Sequence, residues 1–288
     1  MGRVSGKVVF ITGASQGQGR SHAVRLAEEG ADVIVTDRAT PYDADAHPQY
    51  DAGTAEGLEE TRLLVEKTGQ KCVSAIADVR DRAALQAAVD SGLSTFGHID
   101  VVLANAGVLT FHEKSWEIPD TSYVLVVDTV MRGVWNTLQC VVPSMIEAKR
   151  GGSIVITSSS GGILGQQLYA HYVGAKFAVV GFMKAFANEL APYRIRVNTV
   201  HPAGVASPGM GLQGVVTAMP LFESNPRAAA GVTPTLPDLD TPFDTPYAPL
   251  GFLPEQEITN AVLWLASDES RYVTGIQLPV DAGTTNKA

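Results

Sequence analysis

Tyr172 and Lys176 lie four residues apart, and Ser159 precedes the tyrosine by thirteen. On a helix, positions four apart share a face, so the phenol and the ammonium project side by side. A neighbouring positive charge favours phenolate and is expected to pull the tyrosine below its ordinary pKa of about 10. That makes Tyr172 a candidate proton donor or acceptor near neutral pH. A second stretch with chemical content is Thr12-Gly13-Ala14-Ser15-Gln16-Gly17-Gln18-Gly19. Its glycines permit a tight turn and close approach of backbone to a pyrophosphate, whose charge would sit at the N-terminus of the helix that opens there. Asp37 follows Gly19 by eighteen residues. A carboxylate at that spacing accepts hydrogen bonds from ribose hydroxyls and repels a 2′-phosphate, which selects NAD; the adjacent Arg38 softens the repulsion.

These residues need elements to hold them. Short, continuously apolar runs at Lys7–Thr12, Asp32–Thr36, Lys71–Ala77, Val101–Asn105, Ser153–Thr157, Arg196–Val200 and Gln277–Val280 read as strands buried on both faces. Helical patterns fill most gaps, at Arg20–Glu29, Thr54–Thr68, Arg82–Phe96, Thr121–Lys149, Tyr172–Leu190 and Pro254–Ala266. Strands alternating with helices predict an α/β, doubly wound Rossmann fold with a parallel sheet, in one domain spanning residues 1–288.

Composition narrows the function. The chain has 288 residues, is 45% apolar and carries a net charge of −9, without a dense Lys/Arg run, so no nucleic-acid partner is expected. Its two cysteines, Cys72 and Cys140, stand apart and suggest neither a disulfide framework nor a metal site. Absence of a signal-like start and of a membrane-length apolar run predicts a soluble, cytoplasmic protein with no membrane association.

The ordered set of TGASQGQG at 12–19, Asp78-Val79, Asn105-Ala106-Gly107, Ser159, Tyr172 with Lys176, and His201-Pro202-Ala203-Gly204 resembles the short-chain dehydrogenase/reductase family over nearly the whole chain. The resemblance implies that Ser159, Tyr172 and Lys176 are catalytic. It implies a cofactor site made of Gly13, Ser15, Gln16, Gly17, Gln18, Gly19, Asp37, Arg38, Asp78, Val79, Asn105, Ala106, Gly107, Thr157, Tyr172, Lys176, Pro202, Gly204 and Val205. Asp78 and Val79 would hold the adenine, Lys176 would also bond the nicotinamide ribose, and Val205 would present its backbone to the carboxamide. A homotetramer packed through the helices at 121–149 and 172–190 is implied as well.

A longer-than-usual polar stretch at 39–53, with Thr61-Arg62-Leu63-Leu64-Val65-Glu66, Asp78-Val79-Arg80-Asp81 and Leu278-Pro279-Val280-Asp281-Ala282-Gly283, is similar to the mycofactocin-associated branch, some members of which are described as carveol dehydrogenases. By that resemblance the insertion folds over NAD and retains it, with mycofactocin as external electron carrier. Residues 206–254 hold nine of the sixteen prolines together with Met210, Leu212, Met219, Leu221, Phe222, Phe243 and Tyr247, a composition suited to covering an apolar substrate. Phe111, His112 and Trp116 are candidates for the same wall. One family feature is missing: in Asp128-Thr129-Val130-Met131-Arg132-Gly133-Val134-Trp135, Val130 occupies the position of an asparagine that usually holds a relay water. Asn136, six positions on, points roughly 240° away along a helix and is a poor substitute.

The chain is therefore expected to be an NAD-dependent enzyme that interconverts a secondary alcohol and a ketone on a small apolar molecule. Ser159 would bond the substrate oxygen, Tyr172 pass the proton, and Lys176 tune the tyrosine. A steroid or 3-oxoacyl-type ketone reductase is the alternative substrate class. A nucleotide-sensing protein without catalysis is the alternative from outside the enzymes.

Overall fold

The computed structural model describes residues 2–42, 46, 50–235 and 252–286. Its backbone is a seven-stranded parallel sheet in the order β3-β2-β1-β4-β5-β6-β9. The strands are β1 Val8–Thr12, β2 Asp32–Asp37, β3 Cys72–Ile76, β4 Val101–Ala104, β5 Gly152–Thr157, β6 Ile195–Pro202 and β9 Gln277–Val280, with a small pair, β7 Val205–Ala206 and β8 Leu253–Pro254, beside it. Chain order reverses between β1 and β4, so the crevice at their carboxyl ends is the switch point where ligands bind in such sheets.

The apolar runs of β1, β2, β4, β5 and β6 are buried on both faces almost throughout, as read from sequence, whereas those of the edge strands β3 and β9 are only partly buried, because each has a neighbour on one side alone. One layer packs α3 Arg82–Phe96, α5 Gly133–Ala148 and α6 Ala170–Leu190 against Phe10, Ile34, Val102 and Ile154. The opposite layer packs α1 Gly17–Glu28, α2 Ala55–Glu66 and α9 Glu255–Ala266 against Val9, Ile11, Val33 and Leu103. A third cluster lies beyond the sheet and joins Tyr50, Leu109, Phe111, Val130, Tyr172 and Phe222.

Two segments differ from the sequence reading. The pattern at 121–149 is not one regular helix: α4 Asp120–Val127 and α5 are joined by a π-helical turn, Asp128–Arg132, that carries Val130. An apolar periodicity that runs on through a single widened turn gives no sign of it. The stretch after β7, where no helix was read from sequence, forms a π turn at Met210–Gly214, α7 Val215–Glu223 and α8 Pro226–Val232. Phe243 and Tyr247 lie outside the described residues.

Candidate active site

The phosphate-side loop is shaped by glycine. Gly13 has φ 71°, and a Cβ there would lie 2.8 Å from the Ala106 Cα; one on Gly19 would lie 2.0 Å from the Gly13 carbonyl oxygen. α1 then begins at Gly17 with no side-chain cap from Gln16, whereas Asp81 caps α3 through the amides of Ala83 and Ala84. The first-turn N–H groups of α1 are thus left for an anion, in a turn of positive helix dipole. Gln18 lines the same cleft, and its Oε1 is buried without a partner among the described residues. The glycine turn and the uncapped first turn of α1 fit a pyrophosphate, whereas Gln18 Oε1 only accepts and calls for a donor group instead.

Asp37 ends β2 in a fixed orientation. Its Oδ2 accepts from the Ser15 amide at 3.0 Å and the Ser15 hydroxyl at 2.7 Å. Arg38 turns away along the insertion, donating to the Pro41 carbonyl at 2.9 Å and stacking 4.5 Å from the Tyr42 ring centroid. Burial works against charge on Asp78, but hydrogen bonds from Arg80 and the charges of Arg80 and Arg38 outweigh it and hold the carboxyl below its usual value. Asn136, a poor relay candidate by its spacing, serves the cofactor side instead. Its Nδ2 donates to the Val79 carbonyl at 2.9 Å, so it braces the loop that carries Asp78 and Val79.

The strand ends are stitched together beneath the catalytic groups. The Thr12 hydroxyl oxygen accepts from the amides of Asn105 and Ala106, both at 3.1 Å. Asn105 Oδ1 accepts from the Thr157 hydroxyl at 3.2 Å, and the Thr157 carbonyl accepts from Lys176 Nζ at 2.6 Å. Ser159 caps a short turn, its Oγ accepting from Gly161 N at 3.1 Å, and also hydrogen-bonds the Tyr172 phenol.

The expected tuning of Tyr172 is corrected by burial. The phenol is pushed up to about 12 because desolvation outweighs the hydrogen bond with Ser159. Desolvation lowers Lys176 to about 7. The lysine Nζ stands 5.3 Å from the tyrosine ring centroid, so the pair is adjacent as the four-residue spacing requires. Both sit among apolar side chains, however, and loss of hydration is the larger effect on each.

Every residue named above for catalysis or cofactor contact lines one cleft of about 1610 Å³, counting the open space at its mouth. Ser159, Tyr172 and Lys176 line this cleft together with an apolar wall, and Tyr172 belongs to the third apolar cluster. The apolar wall is made of Leu109, Phe111, Tyr169, Met210, Val215, Phe222, Val232 and Phe252. Phe111 meets the rings of Tyr169 and Phe222 edge-on, at 5.1 and 5.5 Å. Trp116 does not join this wall: it is 81% exposed. His112 is also outside the wall; its Nε2 lies 3.1 Å from the Thr110 hydroxyl. Val130 is fully buried in the apolar cluster that includes Tyr172, so no polar group at that position approaches the relay.

His201 is a residue whose role the sequence reading missed. Its Nδ1 lies 2.7 Å from the Ser159 carbonyl, and its Nε2 lies 2.8 Å from the Thr199 hydroxyl. A carbonyl only accepts, so the proton is on Nδ1; burial lowers the ring's pKa to about 4 and keeps it neutral. The imidazole therefore fixes the backbone of Ser159. Its signal was its place in the His201-Pro202 pair at the end of β6.

Among the described residues no cluster of metal-ligating side chains occurs, and no helix is long and apolar enough to cross a membrane. The family model described as short chain dehydrogenase matches residues 7–213. A (-)-trans-carveol dehydrogenase of Rhodococcus erythropolis is 43% identical, with both chains covered in full. A solved carveol dehydrogenase of Mycobacterium avium in complex with NAD superposes with a TM-score of 0.87 at 43% identity, covering 100% of each chain. A short chain dehydrogenase of Mycobacterium paratuberculosis bound to NAD gives 0.89 at 40% identity, covering 99% of this chain and 100% of that one. With the parallel sheet, the glycine-shaped loop and the Ser–Tyr–Lys cluster already in place, this full-length likeness makes the chain a member of the short-chain dehydrogenase family of oxidoreductases.

Proposed function

We propose that the protein is an NAD-dependent dehydrogenase that oxidises a secondary alcohol on a small apolar ring, carveol being the model substrate. The observation that carries this is that Ser159, Tyr172 and Lys176 line one cleft with the glycine-shaped loop and with a wall of apolar and aromatic side chains, which we read as the substrate chamber. Ser159 holds the substrate oxygen, and Tyr172 takes its proton. Lys176, bonded to the Thr157 carbonyl, stands beside the phenol and, when protonated, favours its ionised form. NAD, when bound, would supply the hydride acceptor. The apolar walls keep water from the reacting carbon and leave the catalytic hydroxyls as the polar contacts for the alcohol oxygen.

On this reading the described parts of 39–53 cover the cofactor and those of 206–254 cover the substrate. Support for the first cover is anchoring: Ala46 is buried, with its carbonyl accepting from the Ser122 hydroxyl at 2.6 Å, and Tyr50 is buried in the third cluster. A cover built in this way would retain NAD through turnover and call for an external electron acceptor of the mycofactocin type. The assembly is a homotetramer formed through α4, α5 and α6.

The test is single turnover. Protein purified without added nucleotide is mixed with carveol, and reduction of co-purified NAD is followed by absorbance, with mass spectrometry to identify what the chamber holds. Retained NAD reduced in one burst, then stalling without an external acceptor, is the expected result. No reduction across a panel of cyclic alcohols would overturn the reading.

A further inference from the structure

Two neighbouring residues of the insertion touch three separate parts of the molecule. The Tyr50 hydroxyl oxygen accepts from the Leu109 amide at 3.0 Å, and Leu109 walls the substrate chamber. The Tyr50 ring lies so close to the π turn that a Cβ on Gly214 would be 2.9 Å from its Cδ1. Asp51 meets the preceding residue of that turn twice. Its amide donates to Gln213 Oε1 at 3.1 Å, and Gln213 Nε2 donates to its carboxylate at 3.0 Å. The Asp51 carbonyl also accepts from Gln16 Nε2, at 3.4 Å, on the phosphate side.

The partners are 162 positions apart and joined by a two-point match that includes a charged acceptor, a stronger arrangement than a single neutral contact. The π turn and α7 carry Met210, Val215 and Phe222 into the substrate chamber, while the insertion borders Ser15 and Asp37: a Cβ on Gly53 would fall 1.8 Å from Ser15 Oγ. A molecule that orders the first element also holds Gln213 against Asp51, and so holds the second element down.

We propose that Asp51 and Gln213, seated on Tyr50, are positioning residues that join the two covers, so that filling the substrate chamber slows loss of the dinucleotide. By thermodynamic reciprocity, a bound dinucleotide then tightens the chamber's hold on substrate. This inference rests on the alcohol dehydrogenase function proposed above.

The experiment follows release of labelled, oxidised NAD into excess unlabelled NAD, with and without the ketone of carveol. Oxidised cofactor and ketone form a dead-end complex in which no hydride can move. Saturating ketone should slow release about 5–20-fold in the parent protein. Gln213→Glu, which sets a second carboxylate against Asp51, should reduce that slowing to less than about twofold and raise the KM for carveol. Adding Asp51→Asn to this variant restores a donor facing the new carboxylate and should restore the slowing. Equal slowing in the parent and Gln213→Glu would place the coupling elsewhere. Ketone that competes with carveol in the parent yet leaves release unchanged would show independent covers. Either result overturns the joint while leaving the function intact. Failure of carveol to reduce bound NAD in the parent is a distinct outcome, and it removes the proposed function and the inference together.

Discussion

Tyr172→Phe should abolish reduction of bound NAD by alcohol while leaving NAD bound, because it removes the proton acceptor and little else; rapid-mixing absorbance and equilibrium dialysis check the two halves. Lys176 gives a second, thermodynamic expectation. Its pKa is lowered to about 7 in the folded protein, from an unfolded value of 10.5. The unfolded chain thus binds more protons across that interval, and this group's contribution makes stability rise with pH from about 7 towards 10. In cofactor-free protein, the parent should gain about 2 kcal/mol more than Lys176→Met between pH 7 and pH 9 by urea unfolding. Equal gains would show that the lysine is not held in a dehydrated site. The four-residue spacing of Tyr172 and Lys176 was legible in sequence, but the sign of the tyrosine shift was not. It depends on Val130, Leu125 and other side chains that only the fold brings around the phenol. Val130→Asn tests the missing relay residue: we expect cofactor affinity to be kept and single-turnover oxidation to rise about 3–30-fold, measured against pH. A profile matching the parent's would take position 130 out of the relay.

At the level of elements, α5 packs against the loop of Asp78 and Val79, the proposed adenine contact, with no space to spare. A Cβ on Gly133 would lie 2.5 Å from Val79 Cγ2, and Asn136 one turn on already holds the Val79 carbonyl. Gly133→Ala should therefore push Val79 into the adenine pocket and weaken NAD binding about 5–20-fold in titration calorimetry, with a smaller effect on the rate at saturation. Unchanged affinity would remove Val79 from the cofactor wall. The regular elements were readable because short continuous apolar runs mark the strands and helical patterns fill most gaps between them; Thr54 and Asp81 prove to cap two of those helices. The insertion was readable only as a loop. Its anchors, Ser122 on the Ala46 carbonyl and Gln213 on Asp51, join positions 76 and 162 residues apart and leave no local pattern. Trp116 was misread because an aromatic residue after a strand end resembles a pocket wall until the chain's direction there is known.

Across the whole molecule, part of the exposed apolar surface gathers on α4, α5 and α6. Tyr123, Val124, Trp135 and Phe177 are at least 40% exposed, and Trp135 stacks near Phe182 at a centroid distance of 5.5 Å. A patch of this kind on α4, α5 and α6 fits an interface between copies. Phe177→Glu should shift the mass seen by light scattering below that of a tetramer; an unchanged mass would move the interface elsewhere. The small β7–β8 pair has a consequence of another kind. Val205 pairs with Leu253 and Ala206 with Pro254, so the chain leaves the main sheet and returns at almost the same point. What lies between is a cassette with adjoining ends. Its exchange for the corresponding stretch of a relative would leave the register of the seven parallel strands untouched, and the range of alcohols accepted could diversify without re-solving the problem of folding.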